Sequence, residues 1–360
     1  MTTSFSSRRR ILQKRLEEKG LSALLSLSRA SWYYLTGFTG EAGALLVTRT
    51  RSFFLTDGRF VRQAQEECTK VRVLKQQPSL MGSVGEHVRS LGLRRVGFDA
   101  GQITVSQFAS LRKAAGRKVR WINAETEVTS LRQRKDLAEI DQMRAAAQLA
   151  VEVLSSALRL LKPGISELDV AADIEYQMRK KGATGPAFET IVASGERSAH
   201  PHARPTAKRL RKNELVVLDL GAILGHYCSD ITRTVFVGRA PKRIREWYGA
   251  VQEAQATAVS AVRVGASCGD VDAAARQVLA KHRLERFFVH STGHGLGLEV
   301  HEDPRLACNQ TQLLAPGNVV TIEPGVYLPG IGGIRIEDDV AVHAERTEVL
   351  TRMTRELIEI

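Results

Sequence analysis

Apolar positions in the first third of the chain alternate between two periods. Ile11, Leu12, Leu16 and Leu21 mark an amphipathic helix ending near Gly20, and Ala23-Leu24-Leu25-Ser26-Leu27 follows as a buried-strand run. Further strands are predicted at Ala44–Val47, Ser52–Leu55, Val71–Leu74 and Val96–Asp99, with helices over Arg59–Cys68, Ser83–Leu91 and Val105–Ala115. Strands and helices in alternation argue for an α/β domain over residues 1–125. Asn123 to Ser130 carries turn and capping residues without clear periodicity, so a second domain is expected over 131–360. It opens on a long helix running through Leu160, with Ile140, Met143, Ala147 and Val151 near helical spacing. Lys162-Pro163-Gly164 stops that helix, and Ser166 with Asp169 reads as the cap of another, continuing to about Lys181.

The pattern changes character after Leu215. Leu215-Val216-Val217-Leu218 closes on Asp219, and a second acid, Asp230, lies across a turn. Val319-Val320-Thr321-Ile322 closes on Glu323, and a Pro/Gly-rich turn leads to Ile334-Arg335-Ile336-Glu337. Such runs predict hairpins in an antiparallel, α+β setting. A hairpin folded about its middle sets Asp219 opposite Asp230 and Glu323 opposite Glu337. Opposed residues have Cβ atoms roughly 4.5–5.5 Å apart, where like charges destabilise. A buried carboxylate without a partner is costly, and Asp219 is flanked by Val217, Leu218 and Leu220. A cation resolves both conflicts. Between the hairpins lies His290-Ser291-Thr292-Gly293-His294-Gly295-Leu296-Gly297-Leu298-Glu299-Val300-His301. Its glycines argue against a helical pair of metal-binding histidines and let backbone come close to metals. Four carboxylates and one imidazole suit two divalent ions, as in two-metal hydrolases. The oxygen-rich set favours Mn²⁺, with Co²⁺ or Zn²⁺ as alternatives.

Composition narrows the setting. The chain of 360 residues is 43% hydrophobic and 25% charged, as in globular proteins. No apolar run nears the roughly 20 residues of a membrane span, so no membrane partner is expected. Cys68, Cys228, Cys268 and Cys308 are widely spaced, which reads as reduced thiols and a cytoplasmic enzyme. Ser4 to Arg10 has the composition of a transit peptide, but the apolar pattern runs on into the first helix, so at most a short frayed tail is expected. The net charge of +13 raises the question of nucleic acid. Its basic residues are dispersed in short groups without interleaved aromatics, and no nucleic-acid partner is expected.

Asp219, Asp230, His294, Glu323 and Glu337, in this order, resemble the ligand set of the pita-bread metallopeptidases, which include methionine aminopeptidase, prolidase and aminopeptidase P. The phrases carrying the likeness are Thr292-Gly293-His294-Gly295, Glu323-Pro324-Gly325 and Arg335-Ile336-Glu337-Asp338-Asp339. Trp32–Gly40 and Leu55–Phe60 resemble the creatinase/prolidase N-terminal domain, absent from methionine aminopeptidase. The resemblance implies an α/β N-terminal domain followed by an α+β pita-bread catalytic domain with antiparallel sheet. It assigns Asp219 and Asp230 to one metal, His294 and Glu323 to the other, and makes Asp230 and Glu337 bridging. It puts His202 over the metals as a donor to substrate, and His290 and His301 along the cleft. His200 stands where relatives are more often apolar, and its role is left open. Arg335 shares a face with Glu337 and either steadies the charge there or forms a structural salt bridge. Glu323 is the expected proton shuttle to proline's leaving nitrogen. The implied activity is that of an Xaa-Pro aminopeptidase acting on proline-containing peptides. The rival is an Xaa-Pro dipeptidase, in which Arg305 would meet the product carboxylate. A non-catalytic binding module is the remote alternative. Homodimers are the family expectation.

Overall fold

A computed structural model describes residues 4–360, which divide into two compact units, one running to Arg132 and the other spanning Gln133–Ile360. The first is built on a six-stranded sheet. Its strands are β1 (Ala23–Ser26), β2 (Ala44–Thr48), β3 (Ser52–Thr56), β4 (Arg72–Lys75), β5 (Arg95–Phe98) and β6 (Arg120–Asn123), in the order β4-β3-β2-β1-β5-β6. β1 pairs antiparallel with β2 and parallel with β5, so the sheet is mixed. Leu25, Leu46, Phe53 and Val96 face helices Leu80–Ser90 and Val105–Ala115 in one core. The Ser/Arg-rich start belongs to this fold. Ser4 caps helix Phe5–Glu18, whose Arg8 donates to Tyr34 O at 3.3 Å, while Arg9 donates to Thr69 O at 2.6 Å. Two charges near the N-terminus thus satisfy buried carbonyls. A short helix, Thr126–Arg132, fills the stretch that showed no periodicity, and buries Val128.

In the second unit, Leu137–Leu158 is capped by Asp136 with Glu139 reciprocating, and Glu167–Lys180 by Ser166 with Asp169. These two helices pack on a sheet of order β20-β12-β9-β8, made of β8 (Ile191–Ser194), β9 (Glu214–Leu220), β12 (Ile231–Val237) and β20 (Ile358–Glu359). The small strands β7 (Gly185–Pro186), β10 (Ala222–Leu224) and β11 (Tyr227–Cys228) form a second sheet. A third has the order β14-β13-β15-β18-β19, from β13 (Gly293–Gly295), β14 (Glu302–Leu306), β15 (Val319–Ile322), β18 (Asp338–Val342) and β19 (Thr347–Val349). β16 (Gly325–Leu328) and β17 (Gly332–Arg335) form a separate two-stranded hairpin between β15 and β18 in the chain. Helices Lys242–Ala261 and Cys268–Lys281 bury Val251, Ala258, Val271 and Ala275 against Val320, Ile336 and Val340. Among the described residues no helix is long and apolar enough to cross a membrane.

Candidate metal centre

The first hairpin closes one step away from the expected register. Asp219 lies opposite Thr232, not Asp230, and Ile223 lies opposite Cys228 in the same frame. The cause is the turn. Gly225 and His226 both take positive φ, 56° and 72°, as a two-residue turn matched to strand twist requires. Asp230 therefore becomes a diagonal neighbour of Asp219, and Thr232 stands directly across. The second hairpin closes as expected: Ile322 pairs with Asp338 and Gly325 with Arg335, which brackets Glu323 opposite Glu337.

The strand ends bring the five expected ligands to one place. Oxygen or nitrogen atoms of Asp230, His294 and Glu337 lie within 4.8 Å of one another. Glu323 approaches His294 Nε2 to 3.4 Å, and Asp219 is near enough to Asp230 and Glu337 to raise both carboxyls. Nδ1 of His294 donates to Gly295 O at 2.9 Å, which leaves Nε2 as a bare lone pair among the acids. Burial first, then mutual repulsion, pushes the Asp230 and Glu337 carboxyls well above their ordinary range. Burial also pushes Glu323 up to about 8 and His294 down to about 4. One oxygen each of Asp219 and Asp230 is buried with no hydrogen-bond partner. Bare carboxylate oxygens, a bare imidazole nitrogen and unbalanced negative charge fit divalent ions.

Two of the glycines also let neighbouring strands come close. A Cβ on Gly293 would stand 1.9 Å from Thr321 O, and one on Gly295 2.3 Å from Asp303 O. The close approach is to the backbones of neighbouring strands, which lock the His294 strand in place.

Arg335 resolves the choice left open for it. It ion-pairs with Asp219, donates Nε to Thr232 Oγ1 at 3.2 Å, and donates Nη1 to Tyr327 Oη at 2.6 Å. It is both a structural salt bridge and, among the described residues, the one cation paired with an acid of the cluster. Tyr327 was missed in the sequence. Its hydroxyl lies 2.8 Å from His290 Nε2, and His290 Nδ1 lies 2.8 Å from Ser291 O. A carbonyl accepts only, so Nδ1 carries the proton and Nε2 accepts from Tyr327. Burial pushes Tyr327 up to about 12 and His290 down to about 4, consistent with a neutral chain. Thr232, also missed, donates Oγ1 to Glu337 at 2.6 Å. Asp339 accepts the N–H of Asp230 at 3.0 Å. Thr232 and Asp339 are partners of expected ligands, and partners across strands carry no spacing signal along the chain. The adjoining Asp338 serves the fold, pairing at 2.9 Å with the buried Arg233.

His301 packs its ring edge-on to His294 at 4.4 Å. Burial and nearby His202 both disfavour its charged form. His202 is exposed on the loop whose Pro201 carbonyl accepts from Arg335 at 3.1 Å, and His200 is exposed beside it. Arg305, exposed on β14, is close enough to His294 to disfavour its protonation.

Residues 141–344 match the model of metallopeptidase family M24, and residues 8–134 match the creatinase/prolidase N-terminal domain. The chain belongs to metallopeptidase family M24. An Xaa-Pro dipeptidase of Pyrococcus horikoshii is 34% identical over 345 residues, covering 95% of this chain and 96% of that relative. Among solved structures, an Xaa-Pro dipeptidase from Bacillus anthracis superposes with a TM-score of 0.95 at 37% identity, covering 99% of this chain and 100% of that one. An X-Pro aminopeptidase from Thermotoga maritima gives 0.87 at 34% identity, covering 96% and 100%. This M24 chain has the pita-bread fold expected for the family, and it is a metal-dependent hydrolase. The relatives favour the dipeptidase reading over the aminopeptidase reading.

Proposed function

We propose that this M24 chain is an Xaa-Pro dipeptidase, with Asp219, Asp230, His294, Glu323 and Glu337 holding two divalent ions, Mn²⁺ first among them. The observation that carries the dipeptidase reading is Arg305, an exposed cation close enough to His294 to disfavour its protonation. A dipeptide ends in a carboxylate one residue beyond the scissile bond, and a guanidinium that meets it selects for it. Relatives named Xaa-Pro dipeptidase support the same reading.

Divalent ions at these donors supply Lewis acidity for hydrolysis. The side chains supply the rest. His290 has both nitrogens engaged, by Tyr327 and Ser291, so it holds the cleft wall and has no proton to offer. The donors to the developing oxyanion are therefore His202 and His301, both exposed, with burial and the neighbouring His202 holding His301 toward its neutral form. Glu323 takes and returns the proton that proline's nitrogen needs in order to leave. Arg335 stays charged, its protonated form favoured by the surrounding acids over the opposing effect of burial, and keeps Asp219 in place.

The test strips the full-length protein with chelator, restores Mn²⁺ and follows Arg-Pro beside Arg-Pro-Pro. Cleavage of the dipeptide with an inert tripeptide is the expected result. Arginine release from the tripeptide makes the enzyme an aminopeptidase. Arg305→Ala is expected to raise KM for the dipeptide by about tenfold, the weight of one exposed charge contact. An unchanged KM removes Arg305 from substrate recognition.

A further inference from the structure

Asp272 carries a buried charge that the metal cluster does not use. It sits on helix Cys268–Lys281 with no exposed surface. One oxygen accepts both the Thr292 N–H at 3.0 Å and the Thr292 hydroxyl at 2.8 Å. The other accepts Arg276 Nε at 2.8 Å and the Cys308 thiol at 3.1 Å. Burial pulls this carboxyl upward, yet the donors from Arg276, Cys308 and Thr292 outweigh it and hold the group below its ordinary range. Arg276, one turn along the helix, donates Nη2 to His290 O at 2.6 Å and Nη1 to Phe288 O at 3.3 Å. Its guanidinium also lies 4.4 Å from the Phe288 ring centroid.

A helix-surface pair four residues apart stabilises by a few tenths of a kcal/mol and positions nothing else. This pair instead grips another segment by its backbone at Phe288, His290 and Thr292. The grip continues into the cluster. Thr292 O accepts the N–H of Glu323 at 2.8 Å, and His294 follows two residues later.

We propose that Asp272 and Arg276 are positioning residues that fix the Phe288–Thr292 backbone so that His294 and Glu323 present their ligand atoms to one point. This rests on the reading of His294 and Glu323 as metal ligands. Groups that orient ligands from behind typically cost 10–100-fold in metal affinity or activity when removed.

The experiment titrates Mn²⁺ by calorimetry into chelator-stripped full-length protein and measures kcat/KM and Tm on the same samples. Asp272→Asn keeps the shape and removes the charge that holds Arg276. Its Mn²⁺ affinity is expected to fall about 10–100-fold. Arg276→Lys and Thr292→Val are expected to give smaller losses in the same direction. Val84→Ala, in the core of the other unit, lowers Tm without touching this segment, and is expected to bind Mn²⁺ as the wild type does. Wild-type affinity in Asp272→Asn overturns the proposal, as does an equal loss in Val84→Ala. Should Asp272→Asn fail to fold, wild-type affinity in both milder variants overturns it. A wild type that binds no ion brings down the ligand assignment itself, a result distinct from variants that bind as tightly as a competent wild type.

Discussion

Buried acids in this chain divide by what neutralises them. Asp338 has Arg233 at 2.9 Å, Arg355 at 2.6 Å and Gln255 at 2.8 Å, and is a charge fully answered by the fold. Asp99, in the N-terminal unit, has the Ser26 hydroxyl at 2.6 Å and backbone N–H groups of Leu27 and Ser28, but no cation. Burial therefore dominates and pushes its carboxyl up to about 6. Between the ordinary value and that one, the native state holds the proton more tightly than the unfolded chain, so stability falls as pH rises and the loss is complete above pH 6. Asp99→Asn has no proton to lose. Its stability relative to wild type, from urea unfolding, is expected to rise by up to about 3 kcal/mol between pH 4 and pH 7. A difference that stays constant across that range would show that Asp99 ionises normally. The contrast also explains which acids were legible in the sequence. Asp219 and Glu323 end apolar runs and announce a conflict, whereas Tyr327 and Thr232 act only through partners that folding brings to them.

At the scale of elements, the β13 strand is the sharpest case of sequence dictating placement. Its glycines were legible as helix-breaking, but not as a fit between strands, because the nearest atoms belong to Thr321 and Asp303 on the neighbouring strands. Register was similarly half legible. Glu323 and Glu337 face each other because the intervening hairpin is symmetric about its turn. Asp219 and Asp230 do not, because the turn centres on Gly225 and His226, and a histidine at positive φ gives no warning in sequence. The strand argument yields a paired test. Gly293→Ala places a methyl against a carbonyl oxygen and is expected to destabilise by about 1–3 kcal/mol while displacing His294. Gly249→Ala, in helix Lys242–Ala261 with open space around it, is expected to stabilise by about 0.5–1 kcal/mol through helix propensity. Thermal unfolding of the two variants checks both signs. A neutral Gly293→Ala would mean that the strands part easily and that glycine is not required there.

For the whole molecule, the five proposed donors come from elements spread between residues 219 and 337, and they meet only when two sheets of the second unit are both formed. Their order was legible, since a buried acid at a strand end needs a counter-charge wherever it lies. Their convergence was not, because sheet order is not written in local periodicity. The same convergence places uncompensated acids together in the metal-free protein, where burial and repulsion raise Asp230 and Glu337 alike. Ion binding and folding are therefore linked. A ligand present at 100 times its Kd, and binding only the native state, adds about 2.7 kcal/mol. For a unit of this size that corresponds to roughly 5–10 °C in Tm. Saturating Mn²⁺ is expected to raise the catalytic unit's transition by that much in differential scanning, and chelator to reverse it. Asp230→Asn separates charge from architecture. Without metal it relieves repulsion, so its transition is expected at or above that of the metal-free wild type, and Mn²⁺ is expected to leave it almost unmoved. If Asp230→Asn instead gains the full Mn²⁺ shift, the ion binds somewhere else. If it melts well below the metal-free wild type, Asp230 serves the fold through its other contacts and not through the charge it brings to the cluster.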